Sequence, residues 1–260
     1  MGIDKLKYHI IILLCIIINT SNASQYYIRE MAYVTIGGVY GSSSVDFLDD
    51  YKNIIGGNNV SFKHSPAYGV GLKFWLNNNY RLSVGADYFT SNLYDSFNQF
   101  DSLSIGTVER NLSENITSST LPIIFSIDYI PLEQQFKTYV SLGTGIVISK
   151  VNWTENVNSS RPSDPRVGGT NYDGTDLVPL IRVATGVELD FDKAVAGSVV
   201  GNLTFELRYT YMFRNLDLYG KIKNQLGEKS SLLPETVLFL PGYLSLNLQF
   251  GIEFFQTIGK

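Results

Sequence analysis

Nine ionisable side chains stand in segments where every second residue is apolar: Lys73, Arg81, Asp87, Asp128, Arg182, Glu188, Glu206, Arg208 and Glu253. Four are basic and five acidic. Such a set can serve as a proton-conducting or catalytic array, or as a structural ion network whose members neutralise one another. The network is the expected use, because enclosed charges that lack partners are strongly destabilising. Nucleophilic catalysis needs a histidine beside a hydroxyl and an acid. Outside the first 23 residues the chain has one histidine, His64, and the residues that could join it are Asp101 and Ser102. A lone histidine beside Ser65 in a polar stretch reads more simply as solvated, so no catalytic residue is expected. Asp173 and Asp176 resemble part of a calcium loop without its ligand spacing. No metal or cofactor is expected.

The elements that must position these charges are strands. In YGVGLKFWL, Tyr68, Val70, Leu72, Phe74 and Leu76 form one face, with Gly69, Gly71, Lys73 and Trp75 on the other. Asn77 to Asn79 then read as a tight turn into YRLSVGADYFT, which repeats the alternation. TLPIIFSIDYI pairs with FKTYVSLGTGIVIS, and LIRVATGVELDF with NLTFELRYTYMF. A weaker segment from Met31 opens the set, and GYLSLNLQFGIEFF, Gly242 to Phe255, closes it. The pattern predicts eight strands, each long enough to cross a bilayer at a tilt. Pro66, Pro122, Pro179 and Pro241 are placed at or just before strand starts.

The first 23 residues read as a signal peptide: Asp4, Lys5 and Lys7, the apolar run Ile10 to Ile18, and Ser21 and Ala23 as the small residues of a cleavage site. The run is too short to span a bilayer, and Cys15 within it reads as an apolar residue of a discarded leader, since the bulky Leu14 precedes it. Residues 24–260 then form a single domain without cysteine. The remaining charge is mildly acidic, which recommends no nucleic acid as a partner. The N-x-S/T matches at Asn59, Asn111, Asn115, Asn152, Asn158 and Asn202 arise readily in a chain rich in Asn and Ser.

Connections alternate as regularly as the faces. The long ones cover 41–66, 91–117, 151–176 and 214–241, and the others are short. Long external loops and short periplasmic turns are the habit of outer-membrane barrels. The second face carries Gly, Ser, Thr and Asn with balanced charges, where a soluble barrel would place Lys and Glu in water. The expected arrangement is therefore inverted, with apolar side chains toward lipid and the polar set enclosed. Tyr68, Tyr80, Tyr129, Phe136, Tyr211, Phe213 and Phe254, near strand ends, suit interfacial aromatic girdles.

On GVGLKFWLNNNYRLSVGADYF and TGVELDF…GNLTFELRYTYMF, the chain resembles the small bacterial outer-membrane β-barrel family that includes the transmembrane domain of outer-membrane protein A and related surface antigens. The resemblance implies an all-β, eight-stranded, antiparallel up-and-down transmembrane barrel in the bacterial outer membrane. Its partners would be outer-membrane lipid and, through the four loops, host or extracellular macromolecules. It implies a surface antigen, adhesin or membrane-structural role. A small porin or apolar-solute channel is the alternative, and a lipid A-modifying enzyme a further one. Such barrels commonly end on an aromatic residue; here QTIGK follows, so the insertion signal is expected at Phe254–Phe255. The last strand should pair with the first around Val34 to Tyr40, and Glu253 with Arg81, Arg182 or Arg208. With only five residues after the last strand, no periplasmic peptidoglycan-binding domain is expected.

Overall fold

A computed structural model describes residues 27–103, 106–131, 136–191, 199–223, 226 and 231–257. The leader assigned to residues 1–23 lies outside them. Eight long strands form the wall: β1 (Tyr27–Ser42), β3 (Ala67–Trp75), β4 (Tyr80–Leu103), β5 (Gly106–Tyr129), β6 (Phe136–Ser159), β7 (Asn171–Asp190), β8 (Val199–Met212) and β11 (Gly242–Thr257). Each pairs antiparallel with its neighbours, and the β1–β11 ladder closes the ring. In that ladder Val34 faces Phe250 and Tyr40 faces Leu244, the closure expected from the alternation. β11 runs past Phe255 to Thr257, opposite Tyr27, so Gln256 and Thr257 belong to the strand and not to a tail.

The β3–β4 turn forms for the reason the asparagines give. The Asn77 side-chain oxygen accepts from the Asn79 and Tyr80 backbone N–H groups, both at 2.9 Å. Such a side chain substitutes for a turn carbonyl.

Two of the four predicted loops are strands. β4, β5 and β6 are 24 residues each and β7 is 20, so most of 91–117 and 151–176 continues the wall. The alternation persists there with its faces exchanged. Thr90, Ser119, Lys150 and Thr175 lie in one register row across the four strands. Below this row the outward residues are apolar: Tyr80, Leu82, Val84, Ala86 and Tyr88 on β4, and Phe136, Val140, Leu142, Ile146 and Ile148 on β6. Above it they are mostly polar, Asn92, Ser96 and Asn98 beside Tyr94 and Phe100 on β4, and Asn152, Asn156 and Asn158 on β6, while Leu93, Phe97, Leu112, Ile116, Trp153 and Val157 turn inward. The apolar belt on β6 spans twelve steps, ~30 Å high at ~3.3 Å per residue and ~40° tilt. That height matches a hydrocarbon core.

Two prolines fall inside strands, against the expectation that none would. Pro122 sits where the β4–β5 ladder is interrupted, between Ala86↔Ile123 and Phe89↔Thr120. Pro179 sits just beyond the last β7–β8 pair, Leu180↔Met212. In both places a missing N–H breaks little pairing that is not already broken.

The other two predicted loops fold into a head within the extended wall. Residues 45–50 form a short helix, capped by the Ser44 hydroxyl, which accepts from the Phe47 N–H at 3.2 Å. A π-helical turn, Tyr51–Ile55, follows and ends on Gly56 at φ 95°, a left-handed conformation that favours glycine. β2 (Lys63–His64) pairs with β4. β9 (Asn215–Leu216) pairs with β10 (Val237–Leu238), and Gly220–Lys223 form one helical turn. Phe47, Tyr51, Ile55, Trp153, Tyr219 and Phe239 are fully buried here with some fourteen other apolar side chains. Below the head a second apolar layer, including Phe89, Val147, Leu180 and Tyr243, separates it from the polar interior.

Candidate functional site

The nine predicted charges all point into the barrel, and the wall brings them together in two groups. In the lower group, Arg81 Nε donates to Asp128 at 2.8 Å and its Nη1 to Glu188 at 2.8 Å. Lys73 reaches Glu188 at 3.8 Å and donates to the Gln249 amide oxygen at 3.0 Å. Three residues outside the predicted nine, Lys137, Asp190 and Arg29, complete this group. Lys137 pairs with Asp190 at 2.5 Å and with Glu188 at 3.5 Å. Glu253 is paired with Arg29, and not with Arg81, Arg182 or Arg208 as expected. The reason is register: Met31 is the residue opposite Glu253, so Arg29 is its diagonal neighbour on the adjacent strand. In the upper group, Asp87 accepts from Arg182 at 2.9 Å and from Arg208 at 3.0 Å, and Arg208 also holds Glu206. The Tyr139 hydroxyl donates to Glu206, and Arg182 donates to the Tyr243 hydroxyl at 3.2 Å.

Six acids thus face six bases. The balance offsets the cost of enclosing charge. Glu188, Asp190 and Glu253 bring carboxylate oxygens within 4.8 Å of one another, a spacing a cation could use. Each already faces Lys137, Arg81 or Arg29, so this donor set is neutralised by the wall itself. Between the groups, among Lys73, Asp128, Arg182, Glu206 and Arg208, a void of about 20 Å³ remains. That is room for about one water.

The histidine grouping does not form. His64 Nε2 donates to the Gly41 carbonyl at 2.9 Å, and its Nδ1 meets the Ser91 hydroxyl at 2.7 Å. Asp101 lies ten residues along β4 from Ser91, ~33 Å away at ~3.3 Å per residue. Asp101 and Ser102 pair with Val108 and Thr107 at the tip of the β4–β5 hairpin.

The head carries a polar cluster of its own, on stretches where the alternation predicts loops. Asp95, Glu114 and Glu155 form one inward row, and all three are buried. Asp95 accepts from the backbone N–H groups of Asn58 and Asn59, at 2.7 and 2.8 Å, and so fixes the segment after Gly56. Glu155 accepts from Arg166 at 2.6 Å, and Glu114 from the Trp153 indole at 2.7 Å. Burial, followed by the facing Glu155 carboxylate, pushes the Glu114 carboxyl up to about 9. Burial also acts on Asp164, but hydrogen bonds from Arg110 and the Arg166 backbone outweigh it and hold that carboxyl at about 2.

Neither a protein-family model nor a curated protein matches the sequence. Among solved structures the chain is similar to Neisserial surface protein A, at 12% identity over 88% of this chain and 96% of that one, with a TM-score of 0.34. It is similar to the outer membrane protein OprG of Pseudomonas aeruginosa, at 10% identity over 91% and 98%, with a TM-score of 0.35. It is also similar to the outer membrane protein AlkL, at 17% identity over 93% and 96%, with a TM-score of 0.36. The closed antiparallel ring of eight long strands rests on this chain's own strand pairing. Likeness at this level carries no activity across.

Proposed function

We propose that the chain is a bacterial outer-membrane surface protein, an antigen, adhesin or membrane-structural barrel, whose interaction surface is the folded head and not a set of mobile loops. The observation that carries this is the exchange of faces at the Thr90–Ser119–Lys150–Thr175 row. Side chains below it suit lipid outside and ions inside; side chains above it suit water outside and an apolar core inside. Girdle positions support the placement. Tyr40, Tyr68, Tyr88 and Phe213 are exposed at the upper edge of the belt, and Tyr80, Tyr129, Phe136 and Phe254 at the lower. Extracellular macromolecules would meet the Asn- and Ser-rich wall and the top of the head. The proposal includes neither transport nor catalysis: the interior is filled, and His64 is held by Ser91 and Gly41.

The test uses single cysteines, since Cys15 in the leader is the chain's one cysteine. In intact cells, Asn98→Cys should react with a membrane-impermeant maleimide, and Val70→Cys should not. Labelling of Val70→Cys, or silence of Asn98→Cys in cells that export the protein, would overturn the placement. An adhesive role predicts that vesicles carrying the protein bind host-derived cells. A membrane-structural role predicts instead that a deletion strain leaks periplasmic enzymes.

A further inference from the structure

We infer that the joint between barrel and head holds a small carboxylate or oxyanion, gripped by Arg214. This goes beyond the surface role and does not depend on which partner the head meets. Eight cations are buried among the described residues: Lys73, Arg81, Arg110, Lys137, Arg166, Arg182, Arg208 and Arg214. The first seven each sit in an ion pair. Arg214, 0% exposed, sits in none.

Its guanidinium is anchored at one corner. Nη1 donates to the Ser118 hydroxyl at 3.2 Å, and the group lies 6.0 Å from the Phe239 ring centroid. Nε and Nη2 have no partner. These two nitrogens form the edge of the fork that carboxylates and phosphates take with two parallel hydrogen bonds. Two buried hydroxyls on neighbouring segments are also without partners. Ser149, on the strand beside Ser118 and diagonal to it, has a buried hydroxyl without a partner. Ser43 has another, next to Ser44, whose hydroxyl donates to the Leu238 carbonyl; the following residue, Phe239, donates its N–H to the Arg214 carbonyl at 3.1 Å. Apolar layers lie above and below. The nearest acid by topology is Asp176, opposite Ser149 on β7; its charge acts on Arg214, but it bonds neither free nitrogen of the guanidinium. An enclosed guanidinium with a free fork is the donor half of an anion site, and an oxyanion with two oxygens on one side supplies the acceptors that fork lacks.

The full chain, refolded into detergent with increasing sodium acetate or sodium phosphate, tests this against sodium chloride at equal ionic strength. Chloride, being spherical, cannot take the fork in the bidentate manner. The unfolding temperature of the unaltered protein should rise by a few degrees with acetate or phosphate, beyond the chloride control. Arg214→Gln should abolish that increment, and without added anion it should unfold no lower than the unaltered protein, because it removes an unpaired charge. The arm with the lower half-saturating concentration tells carboxylate from phosphate. An equal increment in both proteins, or none in the unaltered one, overturns the site. So does loss of stability without added anion in both Arg214→Gln and Asp176→Asn, with no anion response in either, which would make Asp176 the partner.

Discussion

Glu114 shows how one side chain sets the conditions under which the head is stable. It is fully buried opposite Glu155, with one cation, Arg166, bonded to its neighbour. Its folded pKa is raised above that of an unfolded carboxyl, so the folded state binds the extra proton. The stability this contributes is fully present below about 4.5 and is lost as pH rises through about 9. Glu114→Gln copies the protonated form and can still accept from the Trp153 indole. It should flatten the alkaline loss of head structure between pH 5 and 9, followed by Trp153 fluorescence in a Trp75→Phe background. A variant as sensitive to alkali as the parent would assign the pH response elsewhere. The interior charges were legible as a set because Arg81, Arg182 and Glu188 share the phase of glycines and serines. Lys137 stands in that phase too, two residues before Tyr139, and was readable; Arg29 precedes the segment in which the alternation becomes clear.

A strand in this protein is two elements joined end to end. β4 reads Arg81, Ser83, Gly85, Asp87 inward and then Phe89, Ser91, Leu93, Asp95, Phe97 inward, apolar side chains now alternating with polar ones, with no break in period. A search for apolar residues of constant phase stops at the exchange and leaves the remainder as loop. A period of two is a property of the backbone, whereas which face is apolar depends on what surrounds that height of the wall. The head has its own apolar core, and so should open without the barrel. Leu112 is fully buried there, and Leu112→Ala should cost about 2–5 kcal/mol, the usual range for such a truncation. Protease added to vesicles should then cut within 41–62 and 214–241 faster than in the parent. The barrel below should keep the slow unboiled mobility change of a closed ring. Simultaneous loss of both would show that head and barrel are one cooperative unit.

At the scale of the whole molecule, the wall encloses three layers: balanced ions, an apolar layer, and the capped head. Among the described residues, buried side chains fill each layer. The void between the two ion groups, about 20 Å³, holds about one water. Planar bilayers containing the purified protein should therefore show no stable open level. Large, long-lived conductance steps would contradict the filled interior. Neutralising one member of the upper group would not open a pore, because Arg182, Arg208, Glu206 and Tyr243 still occupy the same cross-section.

The amino-acid sequence alone determines that this chain alternates, that eight such stretches exist, and that their polar faces carry compensating charge, because side chains a period of two apart must share a face. Which acid meets which base was decided only when the ring closed, since Arg81 and Glu188 are 107 residues apart and no local rule links them. The head, too, belongs to the tertiary structure. Residues such as Phe47, Ile55, Leu218 and Phe239 scatter through segments without period, and they become a core only because the extended wall gathers them inside it.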